Sequence, residues 1–214
     1  MHDEKTREAL LSAAEQLLTR GGLDAVSTRA VADRAGTTTR AVYSLFDSKA
    51  ELLHQLAVRA FGTLVDLVES VPQTADPGLD LINAGMAFRS WALDHPNLFR
   101  LVFGLPDGLV TDPAVAPAGQ AAYRQLRQLV DRARNAGLLG NRPPGEVTAE
   151  WDALCEGLAS VELGGGRLMP PHKAERMWRD SLTAFLHGLS QPDRQQPPAA
   201  DNSDGAAPAH PPVE

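Results

Sequence analysis

The amino-acid sequence predicts an all-α protein, with a three-helix N-terminal unit joined by a long helix to a helical body. Two observations carry that fold class. Apolar residues recur at three- and four-residue spacing in segment after segment, and no stretch alternates apolar with polar residues as a half-buried strand would. Cap residues open these segments, and glycines or prolines close them, at intervals that match helix lengths.

Each element can be justified in turn. Between Lys5 and Arg20, Leu10, Leu11, Ala14, Leu17 and Leu18 share one face, and Gly21-Gly22 closes the helix. Ser27 stands as an N-cap before a short helix from about Thr28 to Ala35, which Gly36 stops. A second short helix runs from about Thr38 to Phe46. Ser48-Lys49-Ala50-Glu51 reads as a capping box opening a long helix that carries Leu52, Leu56, Phe61, Leu64 and Val68 and ends near Ser70.

Asp76-Pro77 is an N-cap with proline at the first helical position, and its helix should reach Asp94. His95-Pro96 breaks the pattern before a short apolar helix, Asn97 to Phe103. Prolines and glycines crowd residues 104–119, which read as a loop. Three helices are expected beyond it: about Gln120 to Asn135, Glu146 to Glu162, and His172 to Leu189. From residue 191 the chain is mostly Pro, Ala, Asp, Gln, Asn and Ser, too polar to bury a core, and disorder is expected. The expected organisation is a helix-turn-helix domain at 1–50, a body at 51–190 and a tail at 191–214.

Composition narrows the function classes. A hydrophobic share of 43% and a charged share of 22% suit a soluble globular chain. No apolar run approaches the ~18 residues of a membrane span, and the mixed first twenty residues resemble no secretory signal, so a cytoplasmic location without membrane contact is expected. Cys155 is the single cysteine, which excludes an internal disulfide and a multi-cysteine metal site. The six histidines are scattered, and no phosphate-loop, dinucleotide, nucleophile-elbow or zinc-protease motif occurs. No catalysis, metal or cofactor is expected. The net charge of −7 is unevenly placed: residues 1–50 balance 7 basic against 7 acidic groups, and the excess acid lies beyond them. An acidic body does not preclude a local phosphate-binding face.

The two short helices around Gly36 form a helix-turn-helix pattern. Thr37, Thr38, Thr39 and Arg40 crowd the start of its second helix, while Val42, Leu45 and Phe46 can face inward. A helix N-terminus presents free N–H groups and a positive dipole end, both suited to phosphate. Short hydroxyl side chains approach base edges or backbone oxygens, and arginine can donate twice to guanine or reach a phosphate. Thr38 can cap the helix as well as meet DNA.

The run from Gly22 through the Ala35-Gly36 turn, Tyr43-x-x-Phe46 and Ser48-Lys49 to Leu53 resembles the DNA-binding unit of the TetR family, over about Thr6 to Phe61. The resemblance implies a homodimer on double-stranded operator DNA. Thr28, Tyr43 and Lys49 would touch phosphates, Thr38, Thr39 and Arg40 would face the major groove, and Ser44 is a further expected DNA-binding residue. Arg40 stands where the family often has glycine, so the docking mode carries over but the operator sequence does not.

The segment Phe88 to Phe103, with Trp91, His95-Pro96 and Leu98-Phe99, resembles one C-terminal subgroup of the same family. Such a body dimerises and binds an effector. Met86, Phe88, Trp91, Phe103, Tyr123 and Trp151 could line an apolar pocket for a small apolar effector, or serve as ordinary core. Arg89, His95 and Glu156 could orient a ligand, although a histidine before proline more often caps a helix. Leu154, Leu158, Val161, Leu182, Phe185 and Leu186 on the last two helices are the expected dimer face, helped by small residues such as Gly157 and Gly188. The expected function is a ligand-released repressor; a regulator that senses no small molecule is the alternative.

Overall fold

A computed structural model of the chain describes residues 2–104, 108–165 and 170–189. Within them the chain is helical and contains no strand. The expected disorder beyond residue 191 lies outside the described residues, as does Gly166.

Helix α1 (His2–Ala25) runs through the Gly-Gly pair, with a kink where Gly22 takes φ 68°. Only glycine adopts that backbone without penalty, which is why the predicted helix end appears as a break. Helix α2 (Thr28–Arg34) is capped by Ser27, whose hydroxyl accepts from Ala30 N at 3.1 Å. Gly36, at φ 67°, makes the turn into α3 (Thr39–Phe46). Thr38 caps α3 by accepting from Ala41 N at 3.2 Å. Leu10, Leu18, Val26, Val31, Val42 and Phe46 are fully buried where α1, α2 and α3 meet. Arg7 pins α1 to the end of α3, donating to Leu45 O at 2.8 Å with its guanidinium over the Phe46 ring.

Helix α4 (Lys49–Ser70) starts at Ser48, which accepts from Glu51 N at 3.0 Å. The reciprocal arm of the capping box does not form: Ser48 N donates to Phe46 O at 2.5 Å, and the Glu51 carboxylate accepts from Gln55 Nε2 at 2.8 Å. The N-terminal half of α4 buries Leu52 and Leu56 against the first three helices; its C-terminal half buries Phe61 and Leu64 in the body. One rigid element therefore belongs to both cores.

Helix α5 (Pro77–Asp94) begins at Asp76, which accepts from Leu79 N at 3.0 Å. His95 closes it, with Nδ1 3.0 Å from Trp91 O and its ring stacked on Trp91. Helix α6 (Pro96–Phe103) follows, then a single 3-10 turn, Leu109–Thr111, inside the expected loop. Helix α7 (Ala116–Asn135) starts four residues earlier than expected. Pro117 lies in its first turn, where a missing N–H costs nothing, and Gly119 is small because Phe61 packs against it. Helices α8 (Pro144–Leu163) and α9 (Pro171–Leu189) complete the body.

Two polar nodes tie the body together. Asp80, fully buried, accepts from Thr74 and from Arg132 Nη1 at 2.7 Å. Burial alone would raise its pKa, but these hydrogen bonds and the adjacent guanidinium hold it below the usual value. Arg89 grips Glu162 through two bonds of 2.9 and 2.7 Å, and Trp178 Nε1 donates to the same carboxylate at 2.9 Å, joining α5, α8 and α9.

Candidate nucleic-acid interface and cavity

The helix-turn-helix presents most of the expected DNA-facing residues on its outside. Thr38, Thr39, Arg40, Tyr43, Ser44 and Lys49 are exposed, and Thr28 is half-buried. Tyr43 is 51% exposed, which excludes an ordinary core tyrosine. The side chains of Thr39, Arg40, Tyr43, Ser44 and Lys49 make no hydrogen bond or ion pair to another described residue. They are held in place by backbone alone, since Val42 and Phe46 anchor the opposite face of α3. Two acidic groups of α1, Glu8 and Glu15, face Arg59 of α4, at 2.6 and 3.6 Å.

The body holds a partly open cavity of about 320 Å³, within the range of small-molecule sites. Four of the six expected residues line it: Phe88, Phe103, Tyr123 and Trp151. Two do not. Trp91 is 5% exposed, donates from Nε1 to Thr63 Oγ1 at 2.9 Å and stacks on Phe88, which itself lines the cavity. Met86 is half-buried against the core, because the cavity meets α5 at Ala84, Gly85 and Phe88 and position 86 points off that line. Phe61, Leu64 and Leu67 of α4 and Leu126 of α7 supply further apolar wall.

The polar lining comes mainly from α8. Asp152 and Glu156, one turn apart, both border the cavity with Cys155 between them. Neither carboxylate has a hydrogen bond or ion pair among the described residues. Burial pushes Asp152 up to about 6; burial and the Asp152 charge push Glu156 up to about 7. Burial and the same two carboxylates push the Cys155 thiol far up, so it stays a protonated, unreactive thiol. Sequence reading found Glu156 but missed Asp152. The available signal was its place next to Trp151 and three residues before Cys155, on the apolar face of α8. Arg89 and His95 stay outside the cavity, committed to Glu162 and to the end of α5.

The expected dimer residues divide. Leu182 is fully buried and Leu186 is 7% exposed within a single chain, so both belong to the protomer core and are removed from the dimer face. Gly85 lies directly under Leu182, which explains the glycine as well. Leu154, Leu158 and Phe185 are half-buried and Val161 is 36% exposed. Among the described residues no helix is long and apolar enough to cross a membrane, and no side-chain cluster could hold a metal ion.

An exposed, cation-bearing helix N-terminus on a helix-turn-helix, joined to a helical body with a partly open cavity, defines a DNA-binding regulator. Residues 10–56 match the family described as bacterial regulatory proteins, tetR family, and residues 81–185 match the tetracyclin repressor-like C-terminal domain. The chain belongs to the TetR family of transcriptional regulators. It is 26% identical over 187 residues to the uncharacterised HTH-type transcriptional regulator Rv0681 of Mycobacterium tuberculosis, covering 87% of this chain and 82% of that one. A solved structure from Rhodococcus sp. RHA1, of a protein of unknown function, is 26% identical and superposes with a TM-score of 0.76 over 87% of this chain and 96% of that one. The fold is shared with RolR, solved in complex with resorcinol, at a TM-score of 0.64 and 14% identity over 88% of this chain and 94% of that one.

Proposed function

We propose that the chain is a ligand-responsive repressor in the cytoplasm, acting by binding rather than catalysis. It binds a two-fold symmetric double-stranded operator as a homodimer and is released when a small molecule fills the body cavity. Residues 1–50 serve as the DNA-binding domain and 51–190 as the effector and dimerisation domain. Thr28, Tyr43 and Lys49 hold phosphates, while Thr38, Thr39, Arg40 and Ser44 face the major groove.

The observation that carries this reading is that the cavity wall is built from the helices that hold the DNA-binding unit. Phe61 and Leu64 of the wall lie on α4, whose first turn carries Lys49. Phe103 of the wall lies on α6, and Asn97 of α6 donates to Leu18 O and Thr19 O of α1 at 2.8 and 3.1 Å. His54 of α4 adds a third link, with Nε2 3.3 Å from Asp112 beside the cavity-lining turn. A ligand that repositions α4 or α6 must also move α1 and α3. RolR, which shares the fold, was solved with a small aromatic ligand, and that supports a ligand-binding body here.

Dimerisation through α8 and α9 is supported by glycines that the protomer does not need. A Cβ on Gly157 or Gly188 would meet nothing within 4 Å. Both lie beside Leu154, Leu158, Val161 and Phe185, where a partner helix could approach closely. The reading is tested by selecting bound fragments from genomic DNA and footprinting them. It expects protection of paired half-sites about 34 Å apart or somewhat more. Protection of one asymmetric half-site, or no selected site, would overturn it.

A further inference from the structure

We propose that the cavity is built for a hydrophobic amine, with a protonated nitrogen held between Asp152 and Glu156 and an apolar skeleton packed among the aromatic rings. The inference rests on the ligand-responsive reading above and names the class of molecule that reading leaves open.

The cavity's polarity is one-sided. Rings approach from four elements: Phe61 on α4, Phe88 on α5, Phe103 on α6 and Tyr123 on α7, with Trp151 on α8 itself. The Tyr123 hydroxyl proton is engaged, donating to Gly145 O at 3.1 Å. Among the described residues no Lys, Arg or His borders the space; the ionisable groups that line it there are Asp152, Cys155 and Glu156 from α8 and Tyr123 from α7, and Gln120 of α7 is a further polar side chain.

Two carboxylates one helical turn apart lie roughly 5–6 Å from each other at Cβ, close enough to share one ammonium. In an apolar space, with no cation beside them among the described residues, both resist ionisation: Asp152 through burial, and Glu156 through burial and then the Asp152 charge. Both carboxylates are half-buried, and a half-buried acidic pair with no partner still carries a desolvation cost. A bound ammonium would supply the missing counter-charge, and the electron-rich ring faces would add cation–π attraction. An anionic ligand would meet two like charges in the same space. A neutral ligand would leave the pair uncompensated.

The test uses the full-length protein without DNA, by calorimetric titration at pH 8. The probes are ω-phenylalkylamines of graded chain length, with the matching alcohols and carboxylates. The best amine is expected to bind roughly thirtyfold or more tighter than its alcohol, as for other buried charge pairs, and the carboxylates weaker still. In the Asp152→Asn/Glu156→Gln double variant the amine should lose that advantage while the alcohol binds as before, which also shows that the cavity survives. Alcohols binding as tightly as amines, amine affinity unchanged in the variant, or no binding across the series would each overturn the proposal. Amines that bind with this preference but fail to release operator would leave the inference standing and remove the proposed switch. Neutral compounds that bind and release operator would do the reverse.

Discussion

Arg40 and Lys49 are both exposed cations without partners, yet they stand at different points of the DNA-facing surface and should fail differently. Arg40 lies in the first turn of α3, where side chains can reach base edges; Lys49 opens α4, beside it. Arg40→Ala or Thr39→Ala is therefore expected to change preference at particular bases, with about 1–3 kcal/mol at a bidentate contact. Lys49→Ala and Tyr43→Phe should weaken all sequences alike, and Lys49→Ala should lower the salt slope by about 0.9. Binding curves against a randomised operator library check this; a change of base preference from Lys49→Ala and none from Arg40→Ala would reverse the assignment.

Asp152 and Glu156 make a second residue-scale prediction. In the unfolded chain both ionise near pH 4. In the folded protein burial lifts them to about 6 and 7, so between these limits the native state holds more protons than the unfolded one. Their contribution to stability is therefore fullest below about pH 4 and is lost as the pH rises through 6 and 7. Thermal melts of the ligand-free protein should fall more steeply from about pH 5 to 8 than those of Asp152→Asn/Glu156→Gln. Parallel curves would contradict the burial argument.

At the scale of elements, the helix starts were legible because capping is local chemistry. Ser27, Thr38, Ser48 and Asp76 each accept the expected hydrogen bond from an amide three residues on. What was not legible depends on contacts distant in sequence. Pro117 and Gly119 read as loop formers until Phe61 is seen packed on Gly119. Trp91 reads as a pocket aromatic until Thr63 is seen to hold its nitrogen. The link from Asn97 to α1 had no sequence signal, since it joins residues 78 and 79 positions apart. Asn97 satisfies two carbonyls in the turn before the Gly22 kink. Asn97→Ala should then cost about 1–2 kcal/mol, or a few degrees of melting temperature. It should also raise amide exchange in that last part of α1. Unchanged exchange there would mean that α6 does not restrain the DNA-binding unit.

At the scale of the molecule, the acidic balance of the chain and its proposed attraction to DNA are compatible because the charge is not evenly spread. The pairing of Glu8 and Glu15 with Arg59 also turns two acids of α1 toward the protein. The assembly makes its own prediction. Since a Cβ at Gly157 would meet nothing within 4 Å, Gly157→Arg should leave helical content unchanged while placing bulk and charge in the proposed α8–α9 interface. Sedimentation should show monomers with native circular dichroism. A dimer of undiminished stability would place the interface elsewhere. The sequence predicts a dimer face on these two helices. It could not show that Leu182 and Leu186 turn inward, because apolar periodicity does not tell a protomer core from a shared one.

The central claim is that cavity and operator are energetically opposed, and linkage makes that opposition reciprocal. If a cavity ligand weakens operator binding by some factor, the operator must weaken ligand binding by the same factor, typically corresponding to about 1–3 kcal/mol. The most direct measurement is the affinity of the best-binding amine for the free protein and for the protein–operator complex. Weaker binding to the complex, by the factor seen in operator release, is the expected result. Equal affinities for the two forms would contradict the account and leave a regulator whose cavity does not speak to its DNA.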